Sequence, residues 1–349
     1  MNTDRKDETS NPDPAARTRV RKATMSASGA AQDAGATRAP PVIGTELSFE
    51  RMVAYTRRSV RFFNADRFHG CARRDQDMKQ YRVKPGRKLS LKTFDPDETG
   101  EYKKNDDGKA AAKAETEKLI ARISRLQERL YANGKRSLLI VLQGMDTSGK
   151  DGTIRSVMSG VNPQGCKVVS FKTPSSKELA HDFLWRVHQE APARGQIGIF
   201  NRSHYEDVLI TRVHKMISNK VELQRLNQIK EFEELLTENG TTILKFFLHI
   251  SKEEQKERLE ARIHDPEKQW KWNSGDLEER KLWNDYMKAF EDVLAATSTD
   301  QAPWFIVPGN RKWYRNLVVA DRVVGALEDM KLSTPPAPEG VDFAKLTIV

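Results

Sequence analysis

Apolar residues fall along this chain in two rhythms. Residues 138–142 (Leu-Leu-Ile-Val-Leu) form an unbroken apolar run of the kind a central parallel strand has when both faces are covered. Apolar runs at 167–171, 196–200, 242–250 and 304–307 predict four more strands. Between them the apolar positions recur at helical spacing. Leu119, Ile120, Ile123, Leu126 and Leu130 predict a helix over 111–131, closed by Asn133-Gly134. Further helices are expected from the residue after Lys150 to about 159, then over 177–190, 207–215, 221–238, 276–294 and 314–330. Another starts at Ser251, an N-cap with Glu254 three residues on, which reads as a capping box. Turns are expected at 95–100 and 161–165, where Pro and Gly cluster. Strands separated by helices of this length predict an α/β fold with a five-stranded parallel sheet and helices on both faces.

The pattern is absent at both ends. Residues 1–48 have few large apolar groups and are expected to be a disordered tail. Residues 49–80 mix arginines with Tyr55, Phe62, Phe63 and Phe68, and read as a flexible linker or a basic, aromatic adaptor. One domain is expected over 81–332, followed by a loose tail over 333–349 that carries Pro335, Pro336 and Pro338.

Composition narrows the class. The 349 residues are 38% hydrophobic and 31% charged, with no run long and apolar enough to span a membrane and no signal-peptide pattern at the start. The two cysteines, Cys71 and Cys166, do not make a disulfide framework, so a reducing cytoplasm is expected. Lys and Arg number 59 against 49 Asp and Glu, a net +10 that suggests a polyanionic partner. About half of this excess lies in residues 1–80, with 15 basic and 10 acidic side chains.

The chemistry centres on the first strand. It runs directly into Gly144-x-x-x-x-Gly149-Lys150, a loop whose glycines let the backbone approach a phosphate while the lysine adds a positive charge. A helix starting near Asp151 would aim its positive end at the same anion. The position after Lys150 holds Asp151, where a Ser or Thr hydroxyl usually holds Mg²⁺. The candidate metal ligand is therefore Asp146, since a carboxylate inside the loop would repel phosphate unless a divalent cation lay between them.

In open α/β sheets ligands bind beyond the carboxyl ends of the strands. Lys172 follows the second strand, and Asn201-Arg-Ser-His-Tyr-Glu206-Asp207 follows the third. That junction supplies both the cations and the carboxylates or amides that phosphoryl transfer needs. Arg258 and Arg262 are four apart and so share a helix face. The loop after them, residues 264–272, carries Trp270 and Trp272 and precedes Arg280 and Lys281. It reads as a lid over phosphates at about 258–281, or as a solvated charged face, since Glu257, Glu260, Glu278 and Glu279 are interleaved. His204 has no histidine or cysteine at metal-ligand spacing, which argues against a transition-metal site.

With these residues assembled, the chain resembles the polyphosphate kinase 2 family. Gly144-Met-Asp-Thr-Ser-Gly-Lys-Asp-Gly152 is similar to its Walker A loop, Asp146 included, and Asn162-Pro-Gln-Gly165 to its next turn. Phe200-Asn-Arg-Ser-His-Tyr-Glu-Asp-Val-Leu209 is similar to its Walker B segment, in the form found in members that phosphorylate both nucleoside mono- and diphosphates. Asp265-Pro-x-Lys268-x-Trp-Lys271 with Arg280, and Ala302-Pro-Trp304, resemble its lid and last strand.

The resemblance covers residues 81–332 and implies a thymidylate-kinase-like P-loop fold of three layers with a helical lid. It further implies a cytoplasmic, Mg²⁺-dependent enzyme assembled as a homodimer or homotetramer, which moves phosphate reversibly from inorganic polyphosphate to AMP and ADP. Under it, Asp146 serves the metal, while Lys150 and the loop residues Gly144, Ser148 and Gly149 hold phosphates. Arg202 neutralises transition-state charge, and Lys172 and Asn201 join the substrate site. Arg258, Arg262, Lys268, Lys271 and Arg280 grip the polymer. Glu206 stands where members restricted to one acceptor class have Asn, and so is expected to act on the acceptor. Two other readings compete: a P-loop kinase using ATP as donor, and a non-catalytic binder of polyphosphate or nucleic acid. A binder needs no Asp146, and an ATP-dependent kinase needs no such row of lid cations.

Overall fold

A computed structural model of the chain describes residues 81–348. The disordered tail expected over 1–48 and the linker expected over 49–80 lie outside the described residues. The strands are β1 (Ser137–Gln143), β2 (Cys166–Ser170), β3 (Ile197–Asn201), β4 (Thr241–His249) and β5 (Trp304–Pro308). The helices, in chain order, are α1 (Asp106–Asn133), α2 (Lys150–Val157), α3 (Ser176–Leu179), α4 (Trp185–His188) and α5 (Glu206–Val213). They continue with α6 (Asn219–Glu238), α7 (Lys252–His264), α8 (Gly275–Lys281), α9 (Trp283–Thr297) and α10 (Lys312–Asp329).

The five strands make one parallel sheet in the order β2-β3-β1-β4-β5. β1 is central and buried along its whole length, as its unbroken apolar run requires. Its side chains alternate between faces. Leu138, Ile140 and Leu142 pack with α1 and α10, whereas Leu139 and Val141 pack with Phe232 of α6 and Phe290 and Val293 of α9. The result is three layers, with the sheet in the middle. The outer edge of β5 is covered by the chain entering the domain: Arg82 bridges to Phe305, and the Val83 N–H donates to the Trp304 carbonyl at 2.9 Å. Among the described residues no helix is long and apolar enough to cross a membrane.

Helix ends explain most departures from the periodicity. α1 begins earlier than its apolar pattern, because the Asn105 side chain accepts from the Gly108 N–H and Asp106 and Asp107 occupy the first turn. It stops at Gly134, which takes a left-handed φ of 60°. The helix expected over 177–190 is instead α3 and α4. Between them the Asp182 side chain accepts from the Leu184 N–H at 3.0 Å and its carbonyl from the Trp185 N–H, capping a new turn. The helix expected over 276–294 likewise breaks into α8 and α9 at Leu282. At α7 only half of the capping box forms. Ser251 Oγ accepts from the Glu254 N–H, but Glu254 turns to Arg258, and the Ser251 N–H donates to Asn310 Oδ1. Residues 333–348 are exposed, and apart from one 3-10 turn, Phe343–Lys345, they carry no regular element.

The α1–α10 layer depends on Ile123, which is fully buried. Ile123→Ala should lower the unfolding free energy by about 2–4 kcal/mol through lost transfer energy and a residual cavity. Urea unfolding reads this directly, and a change under about 1 kcal/mol would contradict the packing described.

Candidate active site

The site starts where β1 ends. Gly144 and Gly149 have φ of 149° and 100°, and their neighbours leave no room for a side chain. A Cβ at Gly144 would lie 2.8 Å from the Leu248 carbonyl, and one at Gly149 would lie 2.0 Å from Arg315 Nη1. Lys150 opens α2, and its buried ammonium donates back to the Gly144 and Met145 carbonyls at 2.8 and 3.3 Å. Burial pulls its pKa down, while the Asp146 carboxylate pulls the other way.

β3 delivers the next group. Arg202, held at φ 63°, donates to Asp146 Oδ1 at 2.6 Å, and Asn201 donates to Asp151 Oδ1 at 2.6 Å. The unusual Asp151 is therefore a tie between the end of β3 and the first turn of α2. Glu206 is the first residue of α5, where a carboxylate suits the helix dipole. Burial raises its pKa, against the opposing pull of Arg202 and Lys150. In the orientation that satisfies both ends, the Gln143 amide donates to Glu206 Oε1 at 3.0 Å and accepts from the Ser203 N–H and Oγ at 3.2 and 3.1 Å. Asp146, Lys150, Arg202 and Glu206 thus share one electrostatic neighbourhood.

Arg258 does something different from the expected grip on a polymer. Its Nε donates to Glu254 at 2.7 Å, Nη1 to the Thr147 and Ser148 carbonyls, and Nη2 to the Gly309 and Asn310 carbonyls. It braces the phosphate loop from behind. Ser148 Oγ and Thr147 Oγ1 are buried beside it without a hydrogen-bond partner.

The remaining expected residues divide. Arg262 pairs with Asp276 at 3.1 Å, and Arg280 donates to the Lys252 carbonyl and Gln255 Oε1, so both are engaged within the protein. Lys268 is exposed and pairs with Asp265, while Lys271 lies over the Trp270 ring at 5.0 Å. Trp270 of this loop is 77% exposed. Lys172 lines a cavity of about 370 Å³ with Lys177, Trp185 and Arg186, and no residue of the phosphate loop lines that cavity. Its carbonyl accepts from Arg186 at 2.8 Å.

Sequence reasoning missed four residues here. Arg315 is 2% exposed, donates to the Ser148 carbonyl at 3.2 Å, and has its pKa pushed down to about 9 by burial and by Arg258. Its place soon after β5, at a strand's carboxyl end, was the available signal. Gln143, the last residue of β1, carried the same signal. Gln255 donates to the Asp146 carbonyl at 3.1 Å. Asp276 is buried, its pKa raised by burial and by Asp146, yet its sequence neighbourhood reads as a charged face.

Comparison with known proteins agrees with this geometry. A family model described as polyphosphate kinase 2 matches residues 106–335. An AMP/ADP-polyphosphate phosphotransferase of Meiothermus ruber is 51% identical over 258 residues, spanning 74% of this chain and 96% of the relative. An ADP-polyphosphate phosphotransferase of Rhodopseudomonas palustris is 44% identical over 269 residues, spanning 74% of this chain and 92% of the relative. The crystal structure of polyphosphate kinase 2 from Arthrobacter aurescens superimposes with a TM-score of 0.72 at 44% identity, covering 76% of this chain and 93% of that one. With the P-loop sheet, the carboxylate inside its loop and a family match over most of the described residues, this chain belongs to the polyphosphate kinase 2 family.

Proposed function

We propose that this protein transfers the terminal phosphoryl group of inorganic polyphosphate to AMP and ADP, giving ADP and ATP, with Mg²⁺. The observation that carries the reading is the 2.6 Å pair of Asp146 and Arg202 beside Lys150, a metal-type carboxylate and two cations at the mouth of a phosphate loop. The names of the Meiothermus and Rhodopseudomonas relatives support the substrates.

In this reading Lys150 and the loop hold the end of the polymer. An oxygen of the acceptor's terminal phosphate attacks the last phosphorus of the polymer. The bond to the bridging oxygen breaks, and the polymer leaves one phosphate shorter. Arg202 lies close enough to Asp146 to neutralise charge at the transferring group. Glu206 faces the acceptor. Of the lid cations, the exposed Lys268 and the half-buried Lys271 are the ones positioned to meet a polymer from solvent, whereas Arg258 acts by bracing the loop.

The residues present fit a Mg²⁺ ion. Asp146 offers a carboxylate, and the unpartnered hydroxyls of Thr147 and Ser148 offer hard oxygens nearby. Among the described residues no three His, Cys, Asp or Glu side chains form a metal cluster. Few protein ligands plus substrate phosphates is the coordination Mg²⁺ favours. Bound there, the ion supplies Lewis-acid neutralisation of phosphate charge.

Purified protein given Mg²⁺, long-chain polyphosphate and AMP or ADP should form ADP or ATP. Absence of both products, while ATP still phosphorylates a nucleotide, would make this an ATP-dependent kinase instead. Asp146→Asn is nearly isosteric and should keep the fold while lowering turnover about a hundredfold or more. Near-normal turnover in that variant removes Asp146 from the mechanism. Glu206→Asn tests the acceptor. If Glu206 holds a metal ion or ordered water where the β-phosphate of ADP would sit, kcat/KM should fall more for AMP than for ADP. Equal losses would reduce Glu206 to a role in α5 alone.

A further inference from the structure

Beneath the catalytic segment lies an ion pair that phosphoryl transfer does not use. Lys245 of β4 is fully buried and Glu233 of α6 is 2% exposed. Lys245 Nζ donates to Glu233 Oε2 at 2.5 Å, to the Thr297 carbonyl at 2.8 Å and to the Tyr205 hydroxyl at 3.0 Å. The Tyr205 hydroxyl donates in turn to Glu233 Oε1 at 2.8 Å, and His204 Nε2 lies 3.3 Å from the same oxygen. Each proton of the ammonium has an acceptor, and each carboxylate oxygen has a donor.

Stability does not explain this arrangement. Burying two charges is so costly that an apolar pair of similar shape is often as stable or more so. What the charges supply is direction, and two of the groups they hold, His204 and Tyr205, are fully buried members of the segment that carries the active site. Arg202 precedes them and Glu206 follows. The upper side of the segment is fixed separately, by the Gln143 amide on Ser203 and by the Arg202 N–H on the Leu142 carbonyl at 3.1 Å. Arg202 also sits at φ 63°, a region that a residue with a side chain holds only when its surroundings impose it.

We propose that Glu233 and Lys245 are positioning residues: through Tyr205 and His204 they fix the segment that aims Arg202 at Asp146 and Glu206 at the acceptor. Neither touches substrate. The inference rests on the function proposed above, so its test includes a readout that does not depend on turnover.

Two variants separate aim from stability. Tyr205→Phe keeps the ring, packed edge-on against Trp304 with centroids 4.9 Å apart, and removes only the hydroxyl, the shorter of the two links from Glu233 to the segment and the one that also meets Lys245. Glu233→Leu combined with Lys245→Met removes both charges and keeps apolar bulk. Each should remain folded well above the assay temperature, lose about tenfold or more in kcat, and hold KM for polyphosphate and ADP within about twofold, since misaimed groups act at the transition state. Amide hydrogen exchange over residues 202–206 should speed up in both. Wild-type kcat in a folded Tyr205→Phe overturns the proposal, as does a loss seen only where a variant has begun to melt. If the double variant does not fold, Tyr205→Phe decides alone. Were the wild type itself inactive with polyphosphate, the functional reading would fail, and unchanged exchange at 202–206 would separately overturn this one.

Discussion

A phosphate loop can offer its amides to a ligand only if its carbonyls are satisfied elsewhere, and here each carbonyl from Gly144 to Gly149 has a donor in the protein. Lys150 takes Gly144 and Met145, Gln255 takes Asp146, and Arg258 takes Thr147 and Ser148. Arg315 adds a second bond to Ser148, and Thr153 takes Gly149 through both its N–H and its hydroxyl. The donors come from α2, α7 and α10. Fixing the loop therefore fixes how these helices stand at the sheet's carboxyl edge, and a buried arginine that makes no carboxylate contact, such as Arg315, becomes intelligible.

The same loop sets the electrostatics. The buried Arg315 and the half-buried Arg258 behind it, with Lys150 within it, form a cationic floor that favours an anion. Opposing carboxylates ring the mouth: Asp146 pairs with Arg202, Asp276 with Arg262, and Glu206 is held by the Gln143 amide. Burial raises the pKa of Glu206 and of Asp276, as expected where acids crowd together away from water. Under the function proposed above, such a site would exchange internal ion pairs for contacts to phosphate and metal, which is a physical reason for its charge density.

The five strands, most helix types and the phosphate loop were legible in the sequence, because their signals are local. A run buried on both faces must be apolar, as in β1, and a tight approach to phosphate needs glycine, as at Gly144 and Gly149. Where local signals conflict, reading along the chain failed. The periodicity over 177–190 did not anticipate Asp182 acting as a cap, and Ser251-x-x-Glu254 predicted a box whose glutamate is taken by Arg258. Arg258 read as a lid cation for the polymer, whereas its fork is taken by the carbonyls of the phosphate loop.

The sequence by itself therefore determined the elements and the chemistry of the loop, since both follow from contacts within a turn or two of chain. Tertiary structure alone decided the strand order β2-β3-β1-β4-β5 and the division of labour among the charges. Arg315 reaches Ser148 across 167 positions, Arg258 reaches it across 110, and Lys245 reaches Tyr205 across 40. Whether a cation meets solvent, a carbonyl or a carboxylate depends on which elements pack together, and no periodicity along the chain encodes that partner.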